Sequence, residues 1–71
     1  MGKDKKGIHG PTMRALRKRL GISQERLGQR AGLTMQTINR IENGRVSISH
    51  PLTIKAIAEA LGVDPRLIVK A

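Results

Sequence analysis

Five acids, Asp4, Glu25, Glu42, Glu59 and Asp64, and two histidines, His9 and His50, are all that this 71-residue sequence offers for acid–base or metal chemistry. None of them falls into a working arrangement. The histidines do not stand at the i, i+4 spacing of a helical metal pair, and no phosphate loop or nucleophile elbow lies beside either of them. Cysteine is absent, which removes thiolate nucleophiles, disulfides and thiolate metal sites together. The chain is therefore not expected to be an enzyme, and neither a metal nor a cofactor is expected. The chemistry in surplus is cationic. Fourteen Lys and Arg against five Asp and Glu leave a net charge of +9, which concentrates polyanions near the surface and points to nucleic acid or an anionic membrane. Phe, Tyr and Trp are missing altogether, so the stacking platforms that hold single strands cannot be built. Reading a duplex through phosphates and base edges needs none of them. The apolar stretches fall far short of the ~20 residues that span a bilayer, and no apolar region follows the basic start as in a signal peptide. A cytoplasmic, nucleoid-associated protein is expected.

The elements that must position this charge are short helices. A chain of this length buries only about 60% of the surface its unfolded form exposes, so one simple core is all it can support. Residues 1–10 are polar and aperiodic, with three lysines and three glycines, and read as a flexible basic arm. From Thr12 the apolar residues Met13, Leu16 and Leu20 recur at helical spacing, and Gly21 stops that first helix. Ser23 is placed to cap a second helix over 24–31, with Ile22 and Leu27 as its hydrophobic staple and Gly32 as its stop. The same signals repeat at once. Thr34 caps a third helix over about 35–43, Leu33 and Ile38 form the staple, and Asn43-Gly44 ends it. Ile38 and Ile41 face inwards, which leaves Met35, Gln36, Asn39, Arg40 and Asn43 pointing outwards or sideways. A loop then leads to a fourth helix over about 52–61. Asp64-Pro65 reads as the cap and first turn of a fifth helix carrying Leu67 and Ile68. The expected architecture is all-α, a compact bundle of five short helices without strands.

The run QERLGQRAGLTMQTINRIENG, Gln24 to Gly44, resembles the helix-turn-helix of the lambda-repressor-like family, the Cro and phage-repressor type of DNA-binding domain. Apolar residues at Leu27, Ala31, Leu33, Ile38 and Ile41, a glycine at the turn and the closing I-E-N-G carry the likeness. IAEALGV, Ile57 to Val63, resembles the family's fourth helix. The resemblance covers about Thr12 to Val69 and divides the chain into an arm at 1–10 and a helix-turn-helix domain at 11–71. One departure is Gly28, where the family usually has alanine; it should weaken the second helix by about 0.5–1 kcal/mol.

The resemblance implies roles residue by residue. The start of the third helix would enter the major groove, so Thr34, Met35, Gln36, Thr37 and Arg40 become base-reading candidates. Gln36 could pair with adenine and Arg40 with guanine, while Met35 offers only apolar contact, such as to a thymine methyl. Gln24, Asn43 and Arg45 look like phosphate contacts. Arg17 and Glu42 are expected to form a structural ion pair between the first and third helices. Val63, Leu67, Ile68 and Val69 are candidate dimer contacts, because the family tends to dimerise through its C-terminal helices. The function this implies is a transcriptional regulator, a repressor, that binds double-stranded DNA as a homodimer, whether formed free or only on DNA, at a palindromic operator. No membrane and no small-molecule ligand enter that expectation. The competing function is a protein-interaction module on the same fold, an antitoxin or coactivator-like protein. The outward residues of the third helix weigh against it, since a protein-binding face is more often apolar at its centre.

Overall fold

Helix α1 (Gly10–Arg19) begins two residues before the expected start at Thr12. Pro11 lies in the first turn, where its missing N–H deprives no carbonyl of a partner. A computed structural model of the chain describes residues 7–46, 48 and 50–69. Helices α2 (Gln24–Ala31) and α3 (Met35–Glu42) follow, and then α4 (Pro51–Leu61). The α4 cap is His50, whose Nδ1 accepts a hydrogen bond from the Leu52 N–H at 3.3 Å.

The core draws buried apolar side chains from all four α-helices, α4 giving the most with Ile54, Ile57, Ala58 and Leu61. Met13 of α1, Leu27 of α2, Ile38 and Ile41 of α3, Ile57 of α4 and Ile68 near the end are fully buried. Each contributes about 1.5–3 kcal/mol relative to exposure in water. Helix α2 packs against both α3 and α4, and α1 lies on α3. The helix-turn-helix pair is thus held from two sides.

Two expectations change. Among the described residues there are four α-helices, not five, because Pro65–Leu67 is a single 3₁₀ turn. Asp64 caps it, accepting from the Arg66 N–H at 2.8 Å, and the Ile68 N–H closes back on the Pro65 carbonyl at 3.2 Å. The chain then straightens, so that Ile68 plugs the core and Val69 forms an antiparallel bridge with Ile8. A continued helix would turn Val69 away from that bridge.

The second change concerns the arm. Ile8 is buried, its N–H donates to the Ile48 carbonyl at 2.9 Å, and the His9 N–H donates to the Ile68 carbonyl at 2.7 Å. Residues 7–10 therefore belong to the packed body, while residues 1–6 of the expected arm lie outside the described residues. Gly10 makes this docking close. A Cβ there would strike the Ile41 carbonyl oxygen and stand 2.8 Å from that of Glu42.

Candidate nucleic-acid interface

Local chemistry sets the two helices that build the interface. Ser23 Oγ accepts from the Arg26 N–H at 3.0 Å, and Thr34 Oγ1 accepts from the Thr37 N–H at 3.1 Å. Each cap satisfies an amide that the helix itself leaves free. Between the helices lie only Gly32, Leu33 and Thr34. Gly32 takes the left-handed conformation (φ 74°) that side chains resist, so the chain can reverse there. Gly28 has a different reason to be glycine. Its carbonyl accepts from the Leu33 N–H at 2.7 Å, and a Cβ would stand 2.6 Å from the Leu33 carbonyl oxygen. The propensity that alanine would add to α2 is thus opposed in this chain by a collision with the Leu33 backbone.

Helix α3 presents Met35, Gln36, Asn39 and Arg40 to solvent, with Met35 46% exposed. Together with Gln24 they line a shallow groove. No acid faces it, because Glu42, the acid of α3, is turned inwards. Thr34 and Thr37 stand at the helix start, joined by a 2.9 Å hydroxyl–hydroxyl hydrogen bond, so the Thr34 oxygen is already engaged in capping. Arg45 is exposed just past the helix end, where its N–H closes on the Arg40 carbonyl at 2.8 Å. Asn43 behaves differently from a free phosphate donor. Its side-chain nitrogen donates to the Asn39 carbonyl at 3.0 Å and to Asn39 Oδ1 at 3.2 Å. A broader depression at the start of α2 holds Arg26 and Arg30, but also Glu25, and no side chain of α3.

Beneath the face, α1, α2 and α3 are tied by one charged knot. Arg17 Nε donates to Glu42 Oε2 at 2.6 Å and Nη2 donates to Oε1 at 3.1 Å, while Nη1 donates to the Ile22 carbonyl at 2.9 Å. The Gln24 amide nitrogen adds a fourth bond, to Glu42 Oε1 at 3.0 Å. Side-chain exposure is 10% for Arg17 and 1% for Glu42, so the pair works largely out of water. Burial alone would raise the Glu42 carboxyl. The hydrogen bonds from Arg17 and Gln24, with the charges of Arg17 and Arg14, outweigh it and hold the group below the ordinary glutamate range. Asp64 shifts the same way at an exposed site, through hydrogen bonds from the Arg66 side chain and backbone.

A carboxyl depressed in the folded state stabilises fully above its unfolded value, and the stability is lost as pH falls through the lower folded value. Stability is therefore expected to hold above about pH 4.5 and to decline below it. Urea midpoints at about pH 6 and about pH 3 measure this, and equal midpoints would contradict it.

The candidate dimer contacts separate. Leu67 is 60% exposed, but Ile68 is fully buried and closes the core of its own chain. Val69 is partly covered in its bridge to Ile8, and Val63 packs at the edge of the core. Ile68 is thus no contact surface, because a residue that fills one core cannot face another subunit. Asn39 is the groove-lining residue that the assignment of base readers leaves out. The signal for it is its position one turn after Met35 and four residues before Asn43, on the outward face.

Two short capped helices, crossed at a tight glycine turn with the second exposed along its polar side, define a helix-turn-helix protein. Residues 13–68 match the family described as Helix-turn-helix, and the chain belongs to that family in its lambda-repressor-like, Cro and phage-repressor form. The HTH-type transcriptional repressor RghR of Bacillus subtilis is 39% identical over 54 residues, covering 76% of this chain and 40% of its own length. The chain thus spans less than half of that relative. An uncharacterized HTH-type transcriptional regulator of Methanothermobacter thermautotrophicus is 50% identical over 50 residues, covering 70% of this chain and 71% of its own. Among solved structures, the restriction-modification controller protein C.AhdI of Aeromonas hydrophila superposes with a TM-score of 0.79 at 32% identity, over 83% of this chain and 84% of that one. The P22 c2 repressor, solved in complex with a synthetic operator, gives 0.77 at 29% identity, over 86% and 92%.

Proposed function

We propose that this chain is a sequence-specific double-stranded DNA-binding regulator of transcription, a repressor, that inserts α3 into the major groove. The observation that carries the reading is the outward face of α3: Met35, Gln36, Asn39 and Arg40 are exposed, while Glu42 is neutralised from below by Arg17. Donors, acceptors and positive charge meet the duplex, and the helix's acid does not oppose the phosphates. Gln36 and Arg40 carry the groups for bidentate pairing with adenine and guanine, at about 1–3 kcal/mol of discrimination each. Arg45 holds phosphate at the helix end, and Gln24 does so at the start of α2 through the second N–H of its amide, the first being held by Glu42. The relatives named as repressor and regulator, and the operator bound by the P22 c2 repressor, support the same role.

One α3 spans only a few base pairs, so the working unit is a homodimer on a palindrome with half-sites about 34 Å apart. Leu67 and Val63 are the residues proposed to meet across the two-fold axis. Residence is in the cytoplasm, with the nucleoid; no helix among the described residues is long and apolar enough to cross a membrane.

Selection from a random duplex library tests this directly. The expected product is a palindrome, and Gln36→Ala and Arg40→Ala should each relax it at a distinct position. Affinity should fall steeply with salt as phosphate counterions are released, and Arg45→Ala should flatten the slope by about 1 per subunit. A selected sequence unchanged by both α3 variants would remove α3 as the reader.

A further inference from the structure

We infer that Asn39 is itself a base-reading residue, and that Glu42 acts through Gln24 as the positioning group that decides which way the Asn39 amide faces. This rests on the reading of α3 as the DNA-contacting helix.

A side-chain amide is nearly symmetric in shape, and a half-turn exchanges its donor for its acceptor. On an exposed surface both orientations are populated unless neighbours of fixed polarity choose between them. Here both ends of a chain of three amides are tied to groups that can only accept. At one end is the Glu42 carboxylate, an ionised acceptor with no proton to give. It takes the Gln24 nitrogen at 3.0 Å, which turns Gln24 Oε1 towards α3. That oxygen accepts from Asn39 Nδ2 at 3.4 Å. At the other end is the Asn39 main-chain carbonyl, which takes the Asn43 nitrogen at 3.0 Å. The same nitrogen reaches Asn39 Oδ1 at 3.2 Å. Both anchors demand the same arrangement of Asn39, nitrogen towards Gln24 and oxygen towards Asn43.

Each of these amide atoms can make a second bond: the nitrogen has another N–H and the oxygen another lone pair. Asn39 is exposed and lines the groove with Gln24, Met35, Gln36 and Arg40. It therefore offers the duplex one donor and one acceptor in a set order. One donor beside one acceptor is the complement of adenine in the major groove, whose N7 accepts and whose N6 amino group donates. Pre-setting the amide removes a rotational choice that binding would otherwise have to make.

The test is base preference, read from duplex selection with the unmodified chain and with variants at exposed or half-exposed positions. Asn39→Ala should reduce discrimination for adenine at one position of each half-site by roughly tenfold or more. Asn39→Asp replaces the donor by an acceptor and should move that position towards cytosine, whose amino group donates. Gln24→Ala leaves the Arg17–Glu42 pair in place and should relax the same position by about threefold or more. The double variant Gln24→Ala, Asn39→Ala should be no less selective there than Asn39→Ala alone. If Gln24→Ala instead weakens all sequences equally, Gln24 is only a phosphate contact and the positioning role is overturned. If Asn39→Ala and Asn39→Asp leave every position of the selected sequence unchanged, the base-reading role is overturned while DNA binding stands. If the unmodified chain selects no sequence, the DNA-binding reading itself fails.

Discussion

Replacing Glu42 by alanine should cost about 3–5 kcal/mol of folding stability, because it leaves the Arg17 guanidinium buried without its counter-charge. Arg17 is 9% exposed and directs three of its N–H groups at Glu42 and the Ile22 carbonyl. Removal of the carboxylate leaves two of those donors without acceptors in a place water barely reaches. A chain of this size has only about 4–10 kcal/mol in total, so a large fraction of the variant should be unfolded at 37 °C. Chemical denaturation with circular dichroism measures the loss. The informative companion is Arg17→Met with Glu42→Leu. Removing both charges avoids stranding either, and that pair should fall well short of the loss in Glu42→Ala. A double variant as unstable as Glu42→Ala would show that the cost lies in packing, not in the unpaired charge.

The second large effect is expected at Gly10. In an unstructured arm, alanine for glycine would be neutral, and in an open first helical turn it would stabilise by about 0.5–1 kcal/mol. Gly10 instead lies against the last turn of α3, where a Cβ would collide with the backbone carbonyls of Ile41 and Glu42. Backbone cannot rotate aside as a flexible side chain can. Overpacking at such a site costs about 1–3 kcal/mol, so Gly10→Ala should lower the thermal midpoint by several degrees, at about 4–8 °C for each kcal/mol. An unchanged or raised midpoint would mean that the start of α1 does not press on α3.

How much of this was legible depended on the distance over which each contact acts. Ser23, Thr34 and Gly32 act on neighbours within a few residues, and their types alone predict α2 over the observed span and α3 to within one residue. Ile8 is different. It stands alone among lysines and glycines with no periodic partner, and its burial depends on Ile48, Ile68 and Val69, far along the chain. The end of the chain failed for a related reason. Asp64-Pro65 starts a turn equally well for an α-helix or a 3₁₀ turn, and the bridge of Val69 to Ile8 decides between them. Within the interface, residue types separated outward from inward positions on α3. They did not reveal that the Gln24 amide is drawn to Glu42, nor that Asn43 turns back on Asn39, because those bonds form only once the helices are packed.

The bridge between Ile8 and Val69 also bears on how the domain forms and how long it lasts. It joins the two extremes of the described chain. Closing so wide a loop carries an entropy cost that rises with the logarithm of its length, whereas each helix and cap draws on residues close by. The bridge should therefore assemble after the helices have docked, on the native side of the folding barrier. Contacts of that kind hardly change the rate of folding and act almost wholly on the rate of unfolding. What Ile8 and Val69 control is thus the lifetime of the folded state: with the bridge weakened, the helices would still meet as quickly but would part sooner.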